Sequence, residues 1–248
     1  MVIVGRSPER TAAVADELDA PHHLADFADL SQVRRLAAEL ADTYPRIEVL
    51  ANNAGGIMGA RELTVDGHER TFQVNHLAPF LLTTTLLPVL SASRATVIQT
   101  ASIAAERFGL LDIDDLQLEH GYSPTRAYGN AKLANIVFTR ELHRRHHADG
   151  ISAVAFHPGV VATSFAKDTT HLMRFIYHTP LRRLFTISSA RGAEPLTWLA
   201  RGLPGETWQP GEYYERRAIA TRVSPQQRDA ALAEQLWDRS VELLERTR

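Results

Sequence analysis

The chain has 248 residues, of which 44% are hydrophobic and 23% charged, with a formal net charge of -2 and a pI near 6.6. That length suits one α/β domain with a sizeable core, spanning residues 1–248, and the charge balance offers nothing to nucleic acid. Because there is no cysteine, disulfides, thiolate nucleophiles and thiolate metal sites are excluded.

The first element expected is a short strand from Val2 to Val4 that ends on Gly5 and Arg6. Ser7 then caps a helix with Pro8 at its first position. A second short strand, His22 to Ala25, ends at Asp26, and Val33, Leu36, Ala37 and Leu40 recur at helical spacing. Ile47 to Ala51 reads as a buried strand running into Asn52, Asn53, Ala54, Gly55 and Gly56. Strand and helix in alternation is the rhythm of a doubly wound parallel sheet, which binds ligands at the carboxyl ends of its strands. Glycine there admits a ligand close to the backbone, although an ordinary tight turn also favours Asn and Gly.

The segment DGHERTFQVNHLAPFLLTTTLLPVL predicts a long buried helix with Asn75 inside it. Its longest apolar run, Leu77 to Leu90, is broken by Pro79 and Pro88 and falls short of the roughly 20 residues that cross a membrane. No signal-peptide pattern is visible, so a cytoplasmic protein is expected. Asn is a poor mid-helix residue because its side chain competes for backbone groups, so Asn75 needs either a core partner or a function. Ala95 to Thr100 predicts the next buried strand, with Ser102 just past its end, and the acidic stretch from Ala104 to Tyr122 reads as a surface excursion.

The stretch SPTRAYGNAKLANIVFTRELHRRHH, Ser123 to His147, predicts a helix capped by Ser123 and Pro124. Tyr128 and Lys132 lie four apart on one face. A phenol titrates near about 10 in water, and a cation beside it favours the phenolate, which makes the pair a usable acid and base. Only Lys132 and Lys167 among the 27 basic residues are lysines, so this pairing is a sparse match. His143, His146 and His147 invite a metal reading, but no carboxylate or further His completes a set, and a basic helix end favoured by the dipole is preferred. No metal is expected. A strand from Ile151 to Phe156 follows, stopped by His157, Pro158 and Gly159. Phe165 to Ser188 mixes apolar and basic residues. The remainder reads as a helix from Ser188 to Arg201, a strand from Glu212 to Tyr214 and a charged helix from Ser224 to Thr247, with Trp198 and Trp237 in the core.

With NNAG at a strand end, Asn75, Ser102, Tyr128 with Lys132, and HPGVVAT in order, the chain resembles the short-chain dehydrogenase/reductase family from Met1 to about Leu244. DGHERTFQVNHLAPFLL, SPTRAYGNAKLANIVFTREL and HPGVVATSF are most similar to its retinol dehydrogenase and WW-domain oxidoreductase-like branch. The resemblance implies a Rossmann-like fold and NADP(H)-dependent interconversion of an alcohol and a carbonyl on an apolar small molecule, alcohol, ketone or aldehyde. It makes Tyr128 the general acid and base, Lys132 its cation and the holder of the nicotinamide ribose, Ser102 the donor to the substrate oxygen, and Asn75 the anchor of a proton-relaying water. It assigns Asp26 to adenine, Asn53, Ala54 and Gly55 to the floor beneath adenosine, and Val161 and Thr163, after Pro158 and Gly159, to the carboxamide. Arg6 stands where members preferring NAD carry an acid, and an arginine there would pair with a 2′-phosphate.

The chain departs from the family at its start: the first strand, the TGxxxGxG turn and the following helix, about 30 residues, are not in it. The expectation is an N-terminally truncated sheet with two unpaired buried edges, belonging to a longer active enzyme. A non-catalytic interaction protein of the same fold is the alternative. The light-dependent protochlorophyllide reductases share the Asn75-type helix and the Tyr and Lys pair, but they use cysteine chemistry that this chain lacks. Phe165 to Ser188 would be a lid over the substrate, and membrane contact is not expected of it. A homodimer through the Ser123 and Asn75 helices is the protein partner left open.

Overall fold

The computed structural model describes residues 1–159 and 189–247. Strand β1 (Ile3–Gly5) leads into α1 (Pro8–Glu17), β2 (His22–Leu24) and α2 (Leu30–Thr43). The capping residues act as their types dictate. Ser7 Oγ accepts the Arg10 N–H at 3.5 Å with Pro8 at the first helical position, and Asp29 accepts the Ser31 N–H at 3.0 Å. Leu30, Val33, Leu36, Ala37 and Leu40 form the buried stripe of α2.

Next come β3 (Val49–Asn52), a short helical turn α3 (Arg70–Phe72), a π turn (Gln73–Leu77), α4 (Ala78–Thr85) and α5 (Leu87–Ser93). The long helix expected here is therefore interrupted twice. It widens to π geometry around Asn75, and it bends by 64° at the break before α5, where Pro88 has no N–H to continue the ladder. Among the described residues no single helix is long and apolar enough to cross a membrane.

Strand β4 (Thr96–Thr100) precedes α6 (Ala104–Phe108), and α7 (Pro124–His146) precedes β5 (Ser152–His157). After residue 188 the chain forms α8 (Ser189–Arg201), β6 (Tyr213–Glu215), β7 (Ala218–Ile219) and, past a 3-10 turn, α9 (Ala230–Glu245). The stretch from Ala104 to Tyr122 is not the plain surface excursion its acidity suggested. It contains α6 and buries Leu111, Leu116 and Leu118, and Gln226 brackets Leu111 with two hydrogen bonds, to its N–H and its C=O.

The order β3-β4-β5-β6 is parallel, with β7 added antiparallel, while β1 and β2 form a separate parallel pair. Every residue of β4 and β5 is buried, because helices cover both faces. Val97, Ala153 and Ala155 face the larger core, shared with α2, α4, α7 and α9; Ile98, Val154 and Phe156 face Leu199 of α8, Trp208 and Tyr214. Strand β3, expected to be buried, is instead partly open: Val49 is 37% exposed and Ala51 is exposed, because among the described residues β3 pairs only with β4. Phe80, Phe138 and Trp237 pack with ring centroids 5.0 to 5.7 Å apart and clamp α9 onto α4 and α7. Trp198 packs against the smaller core, its ring 5.5 Å from that of Tyr214.

Candidate active site

Parallel pairing of β3, β4 and β5 puts their carboxyl ends on one edge, and the expected site residues follow those ends. Asn53, Ala54 and Gly55 leave β3 exposed, Ser102 leaves β4, and Pro158 and Gly159 leave β5. Helix α7 crosses the same edge with Tyr128 and Lys132, both buried.

Ser123 starts α7 by accepting the Arg126 N–H at 3.2 Å, and one turn on, Tyr128 and Lys132 share a face. The Lys132 Nζ stands 5.6 Å from the centre of the Tyr128 ring, within cation-π range. Lys132 is only 2% exposed and donates to the Thr100 carbonyl, the last of β4, at 2.9 Å. Burial pushes its pKa down to about 7. An ammonium has three donors, so two remain in this pocket without a partner among the described residues.

Asn75 is completely buried, and its side chain grips the backbone at Gly56. Oδ1 accepts the Gly56 N–H at 3.1 Å, while Nδ2 donates to the Gly56 and Thr71 carbonyls at 2.9 and 2.8 Å. This amide therefore clamps the loop after β3 as another strand would. Gly55 is the contact between clamp and cation: a Cβ there would collide with Asn75 Oδ1 and stand 3.1 Å from Lys132 Nζ.

The Ser102 hydroxyl accepts the Ala104 N–H at 3.2 Å and so opens α6. Helix α6 meets α7 backbone to backbone. A Cβ on Gly129, beside Tyr128, would lie 2.8 Å from the Phe108 backbone, and one on Gly109 would lie 3.0 Å from the Gly129 carbonyl. These two glycines, which sequence reasoning passed over, let the Ser102 segment lie against the Tyr128 turn. The signal was a helix-breaking residue adjacent to the tyrosine.

Of the other residues singled out from the sequence, Arg6 is exposed just past β1 and has no ion pair among the described residues. Asp26 follows β2 and its Oδ1 accepts the Ala28 N–H at 2.9 Å. Its loop is tied toward the site by Gln73, which donates to the Phe27 carbonyl at 3.2 Å. Thr100 Oγ1 donates to Asn53 Oδ1 at 2.9 Å, fixing the loop floor to β4. Gly159 adopts φ +85°, a left-handed turn suited to glycine, with its N–H donating to His157 Nδ1 at 3.1 Å. Val161, Thr163 and the Phe165 to Ser188 segment lie outside the described residues. His143 and His147 stack at 4.5 Å, and His146 bonds Asp149 at 3.0 Å.

Comparison with known proteins identifies relatives of this chain. Residues 1–173 match the family model for short chain dehydrogenase. The chain is 42% identical over 247 residues to a Streptomyces sp. (strain C5) protein named for daunorubicin C-13 ketoreduction, covering 97% of this chain and 82% of that one. It is 37% identical over 224 residues to retinol dehydrogenase 12 of Homo sapiens, covering 88% and 68%. Among solved structures, an uncharacterised protein from Mycobacterium paratuberculosis matches with a TM-score of 0.74 at 31% identity, over 98% of this chain and 83% of that one.

Proposed function

The chain belongs to the short-chain dehydrogenase family of oxidoreductases, and from that premise we propose that it interconverts an alcohol and a carbonyl on an apolar small molecule with NADP(H), Tyr128 serving as acid and base. The observation that carries this reading is the buried Lys132 ammonium, held by the Thr100 carbonyl beside the Tyr128 ring and below the open Asn53 to Gly55 loop.

The residues present fit a nicotinamide dinucleotide. Two donors of a buried ammonium without a partner among the described residues match the ribose hydroxyls, and the exposed glycine floor leaves room for backbone contact, with nothing within 4 Å of a Cβ built on Gly56. The exposed guanidinium of Arg6, without an ion pair among the described residues, matches a 2′-phosphate, which favours NADP(H) over NAD(H). When bound, the nicotinamide supplies or accepts the hydride. Tyr128 gives a proton to the carbonyl oxygen in reduction and takes it from the hydroxyl in oxidation. Lys132 stabilises the charge left on the Tyr128 oxygen, Ser102 orients the substrate oxygen, and Asn75 holds the loop and a relaying water in place. By the family resemblance, Val161 and Thr163, in the segment after Pro158 and Gly159, would hold the carboxamide. The ketone and retinol named for the two relatives support an apolar alcohol or carbonyl as substrate.

Replacing Tyr128 with Phe is expected to abolish turnover in a screen of apolar ketones and aldehydes with NADPH, while NADPH fluorescence still reports binding. Turnover that survives in this variant sinks the reading. The unpaired outer edge of β3 and the separate β1-β2 pair favour a second statement. A strand between them, of the kind the family carries ahead of its Gly-rich turn, would complete both sheets and the pyrophosphate hold. Extending the chain with such a segment is expected to tighten NADPH binding. A chain that binds no NADPH with or without the extension is instead a non-catalytic interaction protein.

A further inference from the structure

The π turn at Asn75 leaves a backbone group without its usual partner. In an α-helix the Asn75 carbonyl would accept the N–H of residue 79, but residue 79 is proline and has none. The ladder skips ahead, with the Ala78 N–H reaching the Gln73 carbonyl. The Asn75 carbonyl is completely buried and would be costly to leave unmet. Asn135, one turn beyond Lys132 on α7 and itself buried, fills the vacancy: its Nδ2 donates to the Asn75 carbonyl at 3.0 Å.

The polarity of the surrounding network follows from that one bond. A carbonyl can only accept, so the Asn135 NH₂ must face Asn75 and its Oδ1 must face His76 Nδ1, 3.3 Å away. That nitrogen therefore carries the proton. Burial keeps His76 neutral, pushing its pKa down to about 4, so Nε2 is an acceptor. The Ser240 hydroxyl of α9 lies 3.0 Å from Nε2 and 2.7 Å from the Leu236 carbonyl, and its proton is within reach of both. A directed chain thus runs from His76 through Asn135 to Asn75, with Ser240 of the C-terminal helix at its outer end, walled by the rings of Phe72, Phe80 and Phe138 at 5.1 to 6.1 Å from His76.

We infer that Asn135 is a positioning residue for Asn75: it replaces the helical donor that Pro79 lacks, and the other end of its amide is met by His76 Nδ1. Asn135 touches neither Tyr128 nor Lys132 in any hydrogen bond of the described residues; it acts through the Asn75 clamp on Gly56. The inference rests on the reading that Asn75 serves the proposed proton chemistry, and its test has one readout independent of that chemistry.

In the full chain, Asn135→Leu keeps the bulk and removes the donor. Hydrogen exchange of the Gly56 amide, which donates to Asn75 Oδ1, is expected to speed up about tenfold while the β5 amides keep their rates. On the same variant, kcat is expected to fall about tenfold with KM for NADPH unchanged. Asn135→Asp, which can donate only when its carboxyl is protonated, is expected to lose less activity relative to the parent as the pH falls. Unchanged exchange at Gly56, or faster exchange there matched equally in β5, overturns the inference and leaves Asn135 a scaffold residue. Turnover surviving in Tyr128→Phe would defeat the acid and base role of Tyr128 alone, and the Gly56 exchange would still decide the role of Asn135.

Discussion

The β4-β5-α7 centre and the β1-α1-β2 unit are both made of parallel strands joined through helices, yet they present opposite surfaces. In the centre every strand residue is buried, and Lys132, Asn75, Asn135 and His76 sit there each held by a named hydrogen bond. In the N-terminal unit Val4, Leu24, Val14 and Leu18 are all more than a third exposed, and Arg6 stands free in solvent among the described residues. On the proposed function the difference separates two jobs. Proton transfer needs a charge kept from water and locked in place, whereas gripping an anionic ligand needs an exposed cation on a surface that the ligand itself can cover.

The sharpest way to break the contrast is to remove the buried charge. Lys132→Met is expected to lower kcat/KM by about 10²–10⁴-fold in a steady-state assay. It should also change how stability follows pH. The folded-state pKa of Lys132, about 7, lies below its ordinary 10.5. Below pH 7 both states carry the proton and folding bears the full cost of burying it. Between 7 and 10.5 the unfolded chain binds more protons, so stability rises with pH. Denaturant melts of Lys132→Met across that window are expected to lack this rise.

Gly55→Val is the next largest test, because the added side chain collides with Asn75 Oδ1 and presses on Lys132. Displacing catalytic groups by an ångström costs about 10²-fold in turnover, and the assay should show that loss with the fold retained by circular dichroism. In the outer unit, Arg6→Ala is expected to weaken NADPH binding by about tenfold and leave NADH binding alone. Equal weakening of both cofactors would mean that Arg6 does not read the 2′-phosphate. Val14→Ser, on the exposed face of α1, should move the melting free energy by less than about 0.5 kcal/mol. A larger effect would show that this face is covered in solution.

How far the sequence foretold each region follows from the range of the forces involved. The helix starts at Ser7 and Ser123 were legible because a cap is a local bond between a side chain and the next turn. The alternation of strand and helix was legible from periodicity, and so was the Tyr128 and Lys132 face. The π turn was not, because one of the bonds that holds it comes from Asn135, sixty residues away in the chain. Nor was β7, a two-residue strand defined by its partner rather than by its own pattern. The exposure of β3 was hidden for a related reason: an apolar run looks the same whether one or two neighbours will cover it.

The seat of Lys132 on the Thr100 carbonyl also limits which insertions and deletions the gene can accept. Carbonyls along a strand alternate in direction, so removing one residue from the turn before β4 would bring the neighbouring carbonyl to that height facing the wrong way. Removing two would restore the phase but slide Thr100 and Ser102 by roughly 7 Å along the sheet, taking Thr100 from its present partner Asn53. Both steps should therefore cost activity, which a deletion series could read out directly.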